Sequence, residues 1–345
     1  MKKFNLLLNT LICLTMLSGC NSGAGGASTP NSTNLATPNE SSVKSTQDTS
    51  LGNNIGLVIT SGGNLNFYKD DKFISTVWKF EDRPTAVKIA SVGDLATNKP
   101  LVAYVATMRE VGDNAGILKR CTAAPLSGEG MDCVTIDRFK HQVYAVNLDE
   151  NGDGYAISSD NDLMHAYLRV SKYVNNKLVD YQHLSAGLLL GVRKNGFSDL
   201  KYAYSNGLEV YNDTLYFVKE SRLFKYTFGG KVETIREFPK DLWKFTDKVG
   251  MGTNGELDED LFSFSVDKDL NGYAIGEHSL YHMLAGGYFV KVHTFEDKLL
   301  NLSSTGSSIY VVTNGKELKR CNTGGNCSTI DTFASLPVGV SFRAL

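Results

Sequence analysis

Leu118-Lys119-Arg120-Cys121 leads on to Cys133-Val134-Thr135-Ile136-Asp137-Arg138-Phe139. Two hundred residues later, Leu318-Lys319-Arg320-Cys321 leads on to Cys327-Ser328-Thr329-Ile330-Asp331-Thr332-Phe333. Only the spacer between the cysteines differs, 11 residues in the first copy and 5 in the second. Self-similarity of this length marks a repeated supersecondary unit, which buries its apolar faces only against further copies of itself.

The units can be counted. From Asn54 onward, short runs rich in Val, Ile, Leu, Tyr and Phe alternate with Gly, Asn and Asp punctuation. Each unit reads strand, turn, strand, turn, strand, and closes near position 80, 139, 184, 238, 295 or 333. The last five units are each preceded by one more strand-like run, as in Ala86–Ser91, Val143–Leu148 or Leu261–Val266. Four strands per unit at a period near 50 is the arithmetic of propeller blades.

The first unit lacks its leading strand, while the chain ends in an unassigned run, Val338 to Leu345. An open edge would invite aggregation. The C-terminal run is therefore expected to supply the innermost strand of blade 1. Residues 54–345 thus resemble a six-bladed β-propeller, an all-β fold; a seven-bladed ring and a two-sheet sandwich are the alternatives.

The ends of the chain speak to address. Lys2 and Lys3 precede an apolar run from Phe4 to Leu17, which is shorter than the ~20 residues a membrane span needs. The run ends in Leu17-Ser18-Gly19-Cys20, which resembles the bacterial lipobox. That resemblance implies a signal peptide over 1–19, a lipidated Cys20 and anchorage in the cell envelope. Asn21 rather than Asp after the cysteine points to the outer membrane. Past Cys20, residues 21–53 are mostly Ser, Thr, Asn, Gly, Ala and Pro with almost no large apolar side chain, a composition that cannot offset its ordering entropy, so 20–53 is read as a linker. A flexible linker is expected there, with a reach of roughly 30 Å.

Lys and Arg number 35 and Asp and Glu 37, and two of the basic residues lie in the leader. The acidic balance argues against binding nucleic acid or anionic headgroups.

Cys13 leaves with the leader and Cys20 carries the lipid, so four cysteines remain, with three possible pairings. In an oxidising compartment the local pairs Cys121–Cys133 and Cys321–Cys327 are expected, each flanking the turn between third and fourth strands. A four-thiolate zinc site is the alternative, but its spacings miss the usual two to four residues.

Asp149-Glu150-Asn151-Gly152-Asp153-Gly154 and Asp267-Lys268-Asp269-Leu270-Asn271-Gly272 share the pattern D-x-[DN]-x-[DN]-G. Asp149, Asn151 and Asp153, and likewise Asp267, Asp269 and Asn271, could present oxygens to one calcium ion. A tight Asx-rich turn explains the same letters, and the twelfth position holds Asp160 or His278 instead of Glu. No other cofactor is expected. Gly250-Met251-Gly252-Thr253-Asn254-Gly255 spells a dinucleotide fingerprint without the strand and helix that give it meaning. His278 and His282 flank a strand and are too far apart along it to share a metal.

Two inter-blade connections exceed the rest, one running from Ser185 to about Tyr204 and one from Pro239 to Asp260. Long connections in compact domains are often functional. The second carries Trp243, Lys244 and Phe245, residue types enriched at binding hot spots. The expected role is a lipid-anchored scaffold that binds an envelope protein or ligand on its long-loop face. Two other readings stand beside it: a propeller enzyme resembling six-bladed lactonases or hydrolases, with its site at the channel, and a structural surface lipoprotein.

Overall fold

A computed structural model describes residues 53–94, 96–109, 115–124, 130–161, 166–185, 208–211, 213–219, 222–237, 261, 263–267, 269–284 and 288–345. They form six four-stranded antiparallel sheets arranged in a ring, a six-bladed propeller.

Blade 1 contains β1 (Asn54–Thr60), β2 (Asn64–Lys69) and β3 (Lys72–Lys79). Its innermost strand is β24 (Pro337–Ala344), from the other end of the chain. Blade 2 runs outward from β4 (Arg83–Asp94) through β5 (Lys99–Met108) and β6 (Gly116–Ala123) to β7 (Asp132–Phe139). Blade 3 is β8 (Val143–Leu148), β9 (Gly154–Asn161), β10 (Ala166–Val174) and β11 (Lys177–Ser185). Blade 4 is β12 (Leu208–Tyr211), β13 (Thr214–Lys219), β14 (Arg222–Thr227) and β15 (Val232–Glu237). Blade 5 is β16 (Ser263–Val266), β17 (Gly272–Ile275), β18 (Ser279–Leu284) and β19 (Tyr288–Thr294). Blade 6 is β20 (Leu299–Ser304), β21 (Ser308–Thr313), β22 (Glu317–Asn322) and β23 (Cys327–Thr332).

Burial is deepest in the second strands and falls toward the rim. Every residue of β1 and β21 is buried, whereas β7 and β23 are largely exposed or half-buried. A strand covered on both faces by neighbouring blades needs no polar face, and so Leu57-Val58-Ile59 and Tyr310-Val311-Val312 read as continuous apolar runs. The core is divided among the seams. One cluster packs Ile59, Leu65 and Val77 of blade 1 against Ile89 and Val105 of blade 2. Another packs Tyr68 and Phe342 of blade 1 against Tyr310 of blade 6.

The ring closes as the unmatched ends of the sequence require. β24 pairs antiparallel with β1 from Asn54↔Ala344 to Thr60↔Pro337. The amide of Leu345 donates to the carbonyl of Asn53 at 2.9 Å. Phe342 stacks on Tyr310 with ring centroids 3.6 Å apart. Gly56 makes room for that ring, since a Cβ there would lie 2.1 Å from it. Toward blade 2, Arg343 donates to Ala90 O at 2.7 Å, and Ser341 Oγ accepts from Ile89 N at 2.9 Å.

The duplicated segment occupies equivalent strand pairs, β6–β7 and β22–β23. Both expected disulfides form there, Cys121–Cys133 and Cys321–Cys327. Leu118 and Leu318 are fully buried. Directly after each, the register slips and leaves Ile136 or Ile330 as a bulge residue on the outer strand. The repeated Asp reaches the next blade: Asp137 accepts from the Tyr173 hydroxyl at 2.5 Å, and Asp331 accepts from the Tyr68 hydroxyl. The repeated letters therefore encode seam contacts as much as strands.

Candidate functional site

The hub is a narrow channel walled by the innermost strands of all six blades. It encloses a void of about 40 Å³, lined by Lys88, Glu209, Ser263, Ser265, Asn301, Ser303 and Ser341 among others. At ~10–15 Å³ per water, that holds about three solvent molecules. One side of the wall is dominated by hydroxyls. Ser303 Oγ accepts from Phe342 N at 2.9 Å, and Ser304 Oγ donates to Ser265 Oγ at 3.0 Å.

The other side carries charge. Lys88 of blade 2 reaches past blade 3 and donates to both carboxylate oxygens of Glu209 in blade 4, at 3.2 Å each. Between them, Asn147 Nδ2 of blade 3 donates to Glu209 Oε2 at 3.2 Å and to Leu208 O at 3.1 Å. Three blades are thus tied at one carboxylate, the only one that lines the channel among the described residues. Sequence reasoning missed this group. Its available signal was a lone polar residue inside an apolar run, as in Ala86-Val87-Lys88-Ile89-Ala90.

Removing one partner of a buried ion pair costs about 3–5 kcal/mol. Lys88 is 25% exposed, so the pair is partly screened and a smaller loss of about 1–3 kcal/mol is expected for Lys88→Met. Glu209→Gln should cost less, because the ammonium, at 25% exposed, tolerates isolation better than the more buried carboxylate. A Lys88→Met/Glu209→Gln double variant should recover part of the loss in denaturant melts; strictly additive losses would contradict the coupling.

The two faces of the ring differ. On one lie the turns between first and second strands and between third and fourth strands, together with Asn53, where the preceding residues join the ring. Both aspartate-rich segments are on that face. In the first, Asp149 Oδ1 accepts from the backbone N–H of Asn151 and of Asp153, both at 2.9 Å. Asp153 Oδ1 accepts from Asn175 N at 2.6 Å. In the second, Asp267 Oδ1 accepts from Asp269 N and Asn271 N at 2.8 and 3.0 Å. Gly154 and Gly272 end these turns where a Cβ would lie 2.2 Å from the carbonyl of Asn147 or Ser265.

A third copy of the turn, unrecognised in the sequence, spans Asn322 to Asn326, where Asn322 Oδ1 accepts from Gly324 N and Asn326 N at 3.0 Å. An amide oxygen does there what the carboxylates do in the other two, which is turn chemistry. Among the described residues, no three His, Cys, Asp or Glu side chains converge as a metal-ligand group.

The opposite face carries the turns between second and third strands and the inter-blade connections. The two long connections leave it from the ends of β11 and β15. Trp243, Lys244 and Phe245 fall in the second of these, outside the described residues, as does Cys20 in the leader. His278 lies in the turn before β18 and His282 within that strand, where it stacks on Tyr273 at 4.9 Å. Near the end of β11, His183 Nε2 meets Asp160 Oδ2 at 2.6 Å.

No family model and no curated protein matches the chain. Solved structures are similar in outline at low identity. A protein of unknown function from Bacteroides caccae is 10% identical, with a TM-score of 0.49 over 84% of this chain and 98% of that one. A luciferin-regenerating enzyme is 12% identical, with a TM-score of 0.47 over 76% of this chain and 81% of its own. BamB from Moraxella catarrhalis is 12% identical, with a TM-score of 0.37 over 82% and 86%.

Proposed function

We propose that this chain is a lipid-anchored envelope scaffold that binds a protein partner on the propeller face bearing the long connections. The lipid would sit on Cys20, and residues 21–53 would tether the ring, supplying reach without a core. The observation that carries the reading is polarity. The tether joins the ring at Asn53 on one face, and both long connections leave from the other. The tether's point of entry therefore leaves the face that bears both long connections free for a partner. The channel favours binding over chemistry, because Glu209 is already held by Lys88 and Asn147.

Crosslinking in intact envelopes tests the reading. Wild-type protein is expected to capture a discrete partner set that Trp243→Ala loses, while Cys20→Ala releases the protein to the soluble fraction. Capture of the same proteins by wild type and Trp243→Ala would rule out the long-loop surface. Retention of Cys20→Ala in the membrane would rule out the anchor.

A further inference from the structure

The geometry points to the two disulfides as redox-releasable clamps, each joining the two outer strands of one blade and holding the turn between them against the outer strand of the blade before it. Both turns approach a bulge residue on the outer strand of the preceding blade. On β3 the register slips between Leu65 and Asn66 and leaves Val77 as a bulge residue. On β19 the slip between Leu280 and Tyr281 does the same for Val292. A bulge residue has no partner on its own sheet, so its carbonyl must be satisfied from elsewhere.

For Val77 the donor comes from blade 2: Met131 N–H bonds to Val77 O at 2.9 Å. Met131 is buried and belongs to the apolar cluster that Val77 and Cys121 share. For Val292 the neighbour is Gly325 of blade 6, packed so closely that a Cβ would lie 2.5 Å from Val292 O. Cys121–Cys133 brackets the turn that carries Met131, and Cys321–Cys327 brackets the turn that carries Gly325.

Blades 1 and 3 provide the contrast. Their third-to-fourth turns are only two residues long, Asp70-Asp71 and Asn175-Asn176. They hold the preceding blade through side chains instead, Asp71 to Tyr310 at 2.6 Å and Asn176 to Tyr104 at 2.8 Å. A longer turn that docks through its backbone has more freedom to lose, and loop closure by the bridge limits that freedom.

In both bridges the outer-strand cysteine is the less buried partner. Cys121 and Cys321 are fully buried, whereas Cys133 and Cys327, on the outer strands, are half-buried. A dithiol reductant would attack Cys133 Sγ or Cys327 Sγ and form a mixed disulfide there. The partner Cys121 or Cys321 would leave as thiolate and take a proton. The reductant's second thiolate would then displace the mixed bond, leaving both protein cysteines as thiols and the reductant oxidised by two electrons. Release would free the Met131 or Gly325 turn from the preceding blade without breaking a strand pair.

Hydrogen exchange on the full chain, with and without dithiothreitol, tests the clamps. Reduction is expected to speed exchange of the Met131 amide by about 100-fold while Val105, in the second strand of blade 2, keeps its protection. Cys121→Ser/Cys133→Ser should loosen Met131 alone, and Cys321→Ser/Cys327→Ser should loosen the Asn322–Asn326 turn alone. Unchanged protection of Met131 in the reduced protein would overturn the inference. So would global unfolding of both double variants with no separate loss at either seam.

Discussion

Phe342→Ala is expected to lower the stability of the folded ring by about 3–5 kcal/mol, the range for truncating a buried aromatic side chain. The ring of Phe342 lies flat on Tyr310 of blade 6 and leans on Tyr68 of blade 1, at 3.6 and 6.0 Å between centroids. Its position opposite Gly56 leaves a hole that β1 cannot fill, because no side chain stands there to collapse inward. β24 has no turn joining it to β1, so its contacts alone hold the ring shut. A domain this size should lose roughly 2–4 °C per kcal/mol, which makes a fall of about 10 °C in a thermal melt. Phe342→Leu, which keeps much of the volume, should recover at least half of it. Equal melting of Phe342→Ala and wild type would mean that closure does not depend on this strand.

The second large effect is alkaline. Tyr68, Tyr173, Tyr155 and Tyr310 are buried and donate across seams to Asp331, Asp137, Asp213 and Asp71. Desolvation raises each phenol above its ordinary value, and the accepting carboxylate raises it further. A group whose folded pKa is raised stays protonated longer in the native state than in the unfolded chain. Its contribution is therefore complete below the unfolded value near 10 and is lost as the pH climbs above it. Each such tyrosine removes about 1.4 kcal/mol per pH unit in that window, so the four together remove about 5–6 kcal/mol per unit. Cooperative unfolding with simultaneous phenolate release is expected by about pH 12, read by absorbance near 295 nm and far-UV dichroism. Tyr68→Phe should reduce the slope by about one proton's worth. Gradual ionisation of the four phenols in a still-folded protein would contradict the seam assignment.

The ring was legible in the sequence because its evidence is periodic. Four strand-like runs per unit, a missing strand before Ile55 and a surplus one after Val338 leave few closed alternatives. The cysteine pairs were legible because they flank a hairpin. What joins the blades was much less so. Lys88 and Glu209 are 121 residues apart and belong to blades that are not neighbours, a pairing set by the curvature of the ring. Tyr–Asp bonds such as Tyr68 to Asp331 likewise join residues whose proximity exists only once the ring has closed. The outer-strand bulges left a local trace: Val77, Ile136, Ile235, Val292 and Ile330 interrupt the period-two alternation, each with a β-branched residue. The aspartate-rich segments were legible as turns, and the third turn was hidden because Asn322 and Asn326 replace the acidic letters.

Covalent trapping addresses the closed ring most directly. Val58 and Val340 are register partners on β1 and β24, buried in one cluster. In a Val58→Cys/Val340→Cys variant, oxidation and peptide mapping are expected to recover a bridge between positions 58 and 340 beside the two native ones. Recovery of the native bridges without that third one, in a protein that still folds, would show that the C-terminal strand does not close blade 1.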